Sequence, residues 1–307
     1  MRNMDNNSKI IVVLGQTSTG KSDFAVEIAK EINGEIISAD SRQVYKGMDL
    51  GTGKITKKEM CGVHHHMLDV TSPTKAFSVS DYKKLADKKI KEILKKEKVP
   101  IVCGGTGFYI DAIINDIILP EVPPNKKLRE KLSSLSTVDL FNDLKKYDPI
   151  RALNIDPNNK VRLIRALEII EALGTVPLPS PRQGLGEKFS VLKIGLTLSD
   201  TVLKERIYTR LLARIKKGML KEIENLHKKG LSWKRMEALG LEYRYGALYL
   251  QNKITKKEMI EKLNTETWHY AKRQKTWFKR DKDTIWIDPT KLSDKKKILN
   301  KIQKFLK

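Results

Sequence analysis

Eight residues near the amino terminus combine glycines, hydroxyls and a lysine in an order that suits phosphate binding. They read GQTSTGKS and match the pattern G-x-x-x-x-G-K-[ST] at every fixed position. Glycines let successive backbone N–H groups of such a loop point at an anion, while the lysine adds a charge and the final hydroxyl can hold Mg²⁺. The sequence therefore predicts a bound di- or triphosphate, with a chance glycine turn as the alternative. The predicted diphosphate- or nucleotide-binding residues are Gly15, Gln16, Thr17, Ser18, Thr19, Gly20, Lys21 and Ser22, and Ser22 is also the predicted Mg²⁺ ligand.

A carboxylate follows the next apolar strand. Residues Glu35 to Ala39 predict that strand, and Asp40 then opens the polar run DSRQ, which ends at Gln43. The carboxyl ends of parallel strands meet at one edge of a sheet, so we expect Asp40 beside the phosphate loop. The alternative is that Asp40 caps the turn that follows it. A third strand opens into GGTGFY, whose Thr106 is expected at the same edge.

The elements that must position these residues alternate between apolar strands and amphipathic helices, which is typical of an α/β fold. Two proline-rich breaks, LPEVPPN and the segment from Pro177 to Gly186, interrupt the pattern. We therefore predict a parallel-sheet core in residues 1–118, a helical insertion domain in 119–189, and a return to the core with helical C-terminal extension in 190–307. The predicted strands are Ile10–Leu14, Glu35–Ala39, Val99–Cys103, Val191–Leu198 and Thr284–Ile287. The predicted helices include Asp23–Glu31, Ser80–Lys95, Leu203–Lys229, Thr255–Lys279 and a stretch from Lys126 to Ala172 that is broken at Asp148-Pro149 and Asp156-Pro157.

The charge of the chain narrows the choice of partner. Sixty Lys and Arg residues against 37 Asp and Glu give the 307-residue chain a formal net charge of +23. Charge of this size indicates a polyanionic partner, although a general enrichment of surface lysine is the alternative. The amino terminus has no apolar signal core, and no apolar run approaches the roughly 20 residues that cross a bilayer. With two cysteines and no disulfide framework, we expect a cytoplasmic protein with no membrane partner.

Arginines and aromatic residues are concentrated where an anion could be bound. Arg206 and Arg210 lie one turn apart on a predicted helix, and either can close over a diphosphate because arginine binds phosphate oxygens with two parallel hydrogen bonds. Arg162 and Arg165 share a helix face in the insertion, where anion binding and pairing with Glu168 are both open interpretations. The stretch AKRQKTWF interleaves basic and aromatic side chains, which favours RNA binding. A core tryptophan with a solvated basic face is the alternative.

Three adjacent histidines, His64 to His66, are the remaining group that could bind a metal. They lack the i, i+4 spacing of a helical zinc motif, and no cysteine pair accompanies them. We therefore predict a loop that is ordered near substrate or nucleic acid rather than a metal site.

Taken in chain order, these blocks resemble the tRNA dimethylallyltransferase family. The resemblance is carried by GQTSTGKS, ISADSRQVYKGMDLGTGK, GGTGFY, the RALE stretch that begins at Arg165, and AKRQKTWF, and it covers nearly the whole chain. Gln16 stands where the family usually has proline, and Val161 stands where it commonly has glutamine. The family transfers a dimethylallyl group from dimethylallyl diphosphate to N6 of the adenosine on the 3′ side of the anticodon in tRNA, and releases diphosphate. The implied fold is a P-loop NTPase or kinase-like α/β core with a helical insertion.

The resemblance implies a role for each group. The phosphate loop, with Mg²⁺ as cofactor, would hold the donor diphosphate and stabilise the charge that develops as the allylic C–O bond breaks. Asp40 would be the base for the adenine amine, and the adenine must leave the anticodon-loop stack to reach the donor. The implied catalytic residues are Asp40, Lys21, Thr17, Arg206 and Arg210. The implied tRNA-binding residues are Asp40, Ser41, Arg42, Gln43, Thr106, Arg129, Arg162, Arg165, Lys272, Arg273, Gln274 and Trp277.

Three other functions stay open on the sequence alone. A P-loop nucleotide or nucleoside kinase would bind ATP in the same loop, but it would not need the basic and aromatic C-terminal third. An isopentenyltransferase that acts on free adenine nucleotides would not need a charge of +23. A non-catalytic RNA-binding module would have no use for Lys21, Ser22 and Asp40. The expected partners of the tRNA-modifying enzyme are dimethylallyl diphosphate and the tRNA anticodon stem-loop, and the expected state is a monomer.

Overall fold

A computed structural model describes residues 8–117, 119–174 and 189–307 of the chain. The described residues divide into two compact units. The core unit contains 8–114 and 189–307, and the insertion unit contains 115–117 and 119–174. The first change of unit therefore lies close to the predicted domain boundary at 119. The predicted break from Pro177 to Gly186 lies outside the described residues.

A six-stranded, all-parallel sheet runs through the core unit and confirms the predicted α/β fold. Its strands are β1 (Lys9–Gly15), β2 (Gly34–Ala39), β3 (His65–His66), β4 (Val99–Gly104), β5 (Ser190–Leu196) and β6 (Ile285–Ile287). They lie in the order β3-β2-β4-β1-β5-β6. Both Leu14 of β1 and Ala39 of β2 are paired with Gly104 of β4. These three strands therefore end at the same level, which brings the loops that follow them together.

Helices account for most of the remaining described chain. In the core unit before the insertion they are α1 (Lys21–Glu31), α2 (Lys57–Met60), α3 (Val79–Lys95) and α4 (Gly107–Ile114). The insertion unit contains α5 (Lys126–Ser133), α6 (Thr137–Tyr147), α7 (Pro149–Leu153) and α8 (Lys160–Leu173). The core unit then continues with α9 (Asp200–Lys216), α10 (Met219–Lys228), α11 (Trp233–Leu239), α12 (Leu241–Leu250), α13 (Lys256–Phe278) and α14 (Leu292–Leu306).

Apolar packing on both faces of the sheet explains why its inner strands read as continuous apolar runs. Ile10 and Val12 of β1 belong to a buried cluster that includes residues of α3, α4 and the helices after β5. Ile11 and Val13 point to the other face and belong to a cluster with α1 and α14. Successive side chains of a strand point to opposite faces, so this one strand contributes to both cores.

The insertion unit has a core of its own. Leu140, Leu144 and Leu163 are fully buried in its apolar cluster. The predicted breaks are present, because Asp148 caps α7 through a hydrogen bond from the N–H of Arg151 and a proline begins that helix.

Two features of the core unit differ from the sequence prediction. The predicted helix Leu203–Lys229 is two helices, because Gly218 adopts a left-handed φ of 102° between α9 and α10. The short strand β3 was not predicted, since two residues carry no periodic signal. Among the residues that the structure describes, no helix is long and apolar enough to cross a membrane.

Candidate active site

The phosphate loop, residues 15–22, has a backbone shape that depends on its two glycines. Gly15 has a φ of 143°, and a Cβ atom there would lie 2.5 Å from the carbonyl oxygen of Leu196 in β5. Gly20 has a φ of 90° and immediately precedes Lys21, the first residue of α1. The loop therefore lies close against β5 and leads directly into a helix N-terminus, which favours an anion.

A cavity of about 630 Å³ opens beside this loop. Its wall also includes the apolar side chains of Ala25, Ile36, Ile55 and Val202. The cavity thus combines anion-binding groups with an apolar part, which suits a ligand that has a charged end and a hydrocarbon end. The predicted site residues that line it are Thr17, Ser18, Gly20, Lys21, Ser22, Asp40, Gln43, Arg206, Arg210 and Gln274.

The other predicted residues lie elsewhere in the described structure. Gln16 and Thr19 are buried inside the phosphate loop, where the hydroxyl of Thr19 donates to the carbonyl of Gln16 at 2.8 Å. Lys272 and Arg273 are exposed on α13. Arg129, Arg162 and Arg165 belong to the insertion unit, while Gly15, Ser41, Arg42, Thr106 and Trp277 belong to the core unit without lining the cavity.

Lys21 is held in place by the loop that it follows. Its ammonium donates a hydrogen bond to the carbonyl of Gln16 at 2.5 Å. Burial lowers the pKa of Lys21 to about 8, with a further lowering by the charge of Arg210 and an opposing effect from Asp40. An anion beside Lys21 would restore the charged form, so the site favours a phosphate at this position.

Arg210 of α9 reaches the phosphate loop. Its Nη1 donates to the hydroxyl of Ser18 at 3.2 Å. Desolvation of its guanidinium, together with the charge of the neighbouring Arg214, lowers the pKa of Arg210 to about 10. Arg214 itself pairs with Glu242 at 3.2 Å, and burial raises the pKa of that carboxyl. The group formed by Arg210, Arg214 and Glu242 therefore has one positive charge more than it has negative charges.

Asp40 directly follows β2, where it caps the next turn and also lines the cavity beside the phosphate loop. Its Oδ1 accepts hydrogen bonds from the N–H groups of Arg42 at 2.8 Å and Gln43 at 3.3 Å, which is a cap. Among the described residues, its Oδ2 has no hydrogen-bond partner, and Asp40 lines the cavity. The cap therefore fixes the carboxylate while one oxygen stays available to a ligand.

Two residues of the AKRQKTWF stretch form contacts inside the core unit. Gln274 is only 5% exposed and bonds to both the phosphate loop and the turn after β4. The indole N–H of Trp277 donates to Asp111 of α4 at 3.0 Å. The packing of Trp277 is the one that the alternative interpretation expected. Lys272 and Arg273 are exposed, and RNA binding by them stays a prediction.

A buried carboxylate organises the arginines of the insertion unit. Arg129 binds Glu168 with two hydrogen bonds of 2.8 Å, and Arg165 binds the same carboxylate at 2.5 Å and the carbonyl of Val122 at 2.8 Å. Burial alone would raise the pKa of Glu168, but hydrogen bonds from the two arginines lower it to about 2. Both arginines thus have a structural partner, while Arg162 is exposed. Their predicted contacts with RNA stay predictions.

His65 and His66 form the edge strand β3, and His64 directly precedes it. Side-chain ligand atoms of Glu35, His64 and His66 are within 4.8 Å of one another. The carboxylate of Glu35 is already bound by His66 at 2.7 Å and by Lys98 at 2.9 Å. Two cationic lysines, Lys96 and Lys98, are thus close to the carboxylate that a metal would need, whereas His65 lines the cavity. The geometry favours an ion-pair anchor for β3 at this position.

Several cavity residues were not assigned to the site from the sequence, and Arg214, Tyr270 and Glu59 are three of them. Arg214 lines the wall one turn beyond Arg210, and the spacing of four along α9 could have identified it. Tyr270 and Glu59 come from α13 and α2, and no local pattern marks either residue as part of the site. Such residues are recognised only when the chain is folded.

The fold and the cavity together define an α/β protein in which the glycine-rich loop GQTSTGKS, Asp40 and Arg210 line one cavity. The family model described as IPP transferase matches residues 43–281. The chain belongs to the IPP transferase family, which confirms the resemblance recognised in the sequence.

Several relatives and solved structures support this assignment. A tRNA dimethylallyltransferase 2 of Treponema denticola is 44% identical over 272 residues, which cover 88% of this chain and 91% of the relative. A tRNA dimethylallyltransferase of Anoxybacillus flavithermus is 40% identical over 92% of this chain and 91% of the relative. The crystal structure of a tRNA isopentenylpyrophosphate transferase from Bacillus halodurans matches with a TM-score of 0.73 and 35% identity, covering 98% of this chain and 97% of that one. A eukaryotic dimethylallyltransferase acting on tRNA matches with a TM-score of 0.77 and 28% identity, over 94% of this chain and 75% of that one.

Proposed function

We propose that this chain transfers the dimethylallyl group of dimethylallyl diphosphate to N6 of the adenosine on the 3′ side of the anticodon in tRNA. The observation that carries the proposal is that Asp40 and the phosphate loop line one cavity. Family membership and the names of the relatives support the same reaction.

The donor diphosphate would bind at the phosphate loop. Its negative charge would meet the helix N-terminus of α1, the ammonium of Lys21 and the guanidinium of Arg210. The dimethylallyl group would lie against the apolar part of the cavity, at Ile36 and Ile55. This placement leaves the breaking C–O bond between the positive groups and Asp40.

The cavity fits a Mg²⁺ ion bound together with the diphosphate. Ser22 is exposed at the start of α1, and the same cavity contains the carboxylates of Asp40 and Glu59. Hydroxyl and carboxylate oxygens are ligands that Mg²⁺ accepts alongside phosphate oxygens and water. Ser22 would hold the ion, whose charge stabilises the departing diphosphate.

Asp40 would act on the acceptor. The lone pair of the adenine N6 forms the new C–N bond while the C–O bond breaks and its electron pair leaves with the diphosphate. The amine gains positive charge in this step, so an N–H proton passes to Oδ2 of Asp40. Capping of Oδ1 by Arg42 and Gln43 keeps the accepting oxygen in position.

The acceptor would be held by the basic surface of the chain. A formal net charge of +23 supports binding to a polyanion, and the exposed Lys272 and Arg273 supply cations on α13. Arg162 of the insertion unit is a further exposed cation. We propose that these residues contact the tRNA backbone, with the target adenine turned out of its stack.

The proposal is tested by incubating the protein with dimethylallyl diphosphate, Mg²⁺ and unmodified tRNA, and measuring the tRNA product by mass. We expect one dimethylallyl group on the adenosine beside the anticodon. Parallel reactions contain ATP with a nucleoside, or the free nucleotide AMP with the prenyl donor. Phosphate transfer from ATP, or prenylation of AMP in place of tRNA, would overturn the proposal.

A further inference from the structure

Gln274 of α13 connects parts of the chain that are distant in sequence. Its Oε1 accepts a hydrogen bond from the N–H of Thr17 in the phosphate loop at 2.7 Å. Its Nε2 donates to the carbonyl of Gly105, in the turn after β4, at 2.8 Å. The side chain is only 5% exposed, so both ends of the amide are used inside the protein.

The turn that Gln274 holds continues directly to the candidate base. Thr106 follows Gly105, and its N–H donates to the carbonyl of Ala39 at 3.1 Å. The hydroxyl of Thr106 accepts from the N–H of Ser41 at 3.0 Å. Asp40 lies between Ala39 and Ser41 in the chain, so Thr106 fixes the backbone on both sides of Asp40.

These contacts form one hydrogen-bonded path from the phosphate loop to the carboxylate. Thr17 is joined to Gly105 through Gln274, and Thr106 joins the same turn to the residues that flank Asp40. The side chain of Gln274 packs tightly against the turn, because a Cβ atom built on Gly105 would lie 2.3 Å from Nε2 of Gln274. The amide and the turn are therefore in close contact.

We propose that Gln274 is a positioning residue that sets the distance between the donor-binding phosphate loop and Asp40. This inference rests on the proposed function, since it assigns the two loops to the two substrates. A displacement of about 1 Å between reacting groups can cost roughly 100-fold in rate. Gln274 therefore acts on the chemical step, in contrast to its sequence-based prediction as a tRNA contact.

Two substitutions of similar size separate the parts of this role. Gln274→Met keeps the length of the side chain but removes the donor and the acceptor. Gln274→Glu keeps an acceptor for Thr17 and, when ionised, loses the donor for Gly105. A protonated carboxyl again has one donor and one acceptor, so low pH should restore the missing contact in this variant alone.

The experiment measures kcat, the KM for tRNA and the KM for the prenyl donor at several pH values. We expect kcat of Gln274→Met to fall by roughly 10- to 100-fold at every pH, while the KM for tRNA stays within about twofold. The kcat of Gln274→Glu relative to the wild type should rise as the pH is lowered. Gln251→Glu is the matched control. Gln251 also donates its amide to a carbonyl, that of Ala247 at 3.0 Å, but it lies at the C-terminal cap of α12.

Amide hydrogen exchange gives a readout that does not depend on activity. Gln274→Met should accelerate exchange in both the phosphate loop and the turn at 104–106, since both lose the same anchor. Unchanged exchange in either loop, an unchanged kcat, or a change confined to the KM for tRNA would overturn the positioning role. If the wild type fails to prenylate tRNA, the proposed function falls, and exchange still decides whether Gln274 couples the two loops.

Discussion

Replacing Asp40 by asparagine isolates the charge of the candidate base from its structural role. Oδ1 of Asp40 accepts from two backbone N–H groups, at 2.8 and 3.3 Å, and an asparagine oxygen accepts the same bonds. Asparagine and aspartate are about equal as caps, so we expect the loop to fold and stability to change by less than about 1 kcal/mol. Loss of the base should lower the rate of prenyl transfer by at least ~100-fold, equivalent to about 2.7 kcal/mol of transition-state stabilisation.

Single-turnover transfer to unmodified tRNA, read by mass, is the assay for Asp40→Asn. Thermal unfolding and tRNA binding are measured on the same preparation and should resemble the wild type. Asp81→Asn is the control, because Asp81 is an exposed capping carboxylate of α3 that accepts from the N–H of Ser78 at 2.8 Å. Near-normal transfer by Asp40→Asn, or an equal loss in the control, would refute the assignment of Asp40 as the base.

Four further predictions follow, two on the donor, one on the insertion unit and one on the tRNA. The pKa of Lys21 is about 8, so its ammonium is charged below that pH and loses its charge above it. The KM for the donor should therefore rise by up to about tenfold per pH unit above 8. In Lys21→Met the KM for the donor should not change with pH over this range. Arg210→Lys should raise the donor KM by about tenfold in steady-state assays, because lysine lacks the two-pronged phosphate contact. Glu168→Gln should destabilise the insertion unit by about 3 kcal/mol in denaturant unfolding, because it leaves Arg129 and Arg165 poorly paired. In the wild type, the insertion unit should lose this stability as the pH falls from about 4.5 to about 2, where the carboxylate of Glu168 is protonated. The logarithm of the tRNA binding constant should fall linearly with the logarithm of salt concentration, with a slope that corresponds to several released counterions.

The parts of the site that sequence alone predicts are those set by local pattern. The phosphate loop has all its fixed positions within eight residues. Asp40 directly follows the last apolar residue of a predicted strand, which marks the end of that strand in the sequence. Arg210 could be predicted because helical spacing of four keeps it on one face with Arg206. In each case the information lies within a few residues of the chain.

Contacts between distant segments could not be predicted. Gln274 and Thr17 are 257 positions apart, and nothing local in either segment indicates the partner of the other. A related reason applies to the AKRQKTWF stretch, where the side-chain amide of Gln274 was expected to contact tRNA. A helix near a site presents one face to the core and one to solvent, and Gln274 lies on the face toward the core. The same limit applies to Glu168, whose two arginine partners are recognisable only in the folded insertion unit.

The register of three strands explains why the phosphate loop and Asp40 line one cavity. Leu14 and Ala39 both pair with Gly104, so the phosphate loop, the Asp40 loop and the turn at Thr106 start from one level of the sheet. A change of register in any of these strands would shift its loop by about 3.3 Å per residue, more than the reaction tolerates. The insertion unit lies between α4 and β5 in the sequence. It therefore adds a unit to the chain without interrupting any of these strands. The sheet therefore brings the phosphate loop and Asp40 to one edge, and Gln274 of α13 then joins the phosphate loop to the turn that holds Asp40.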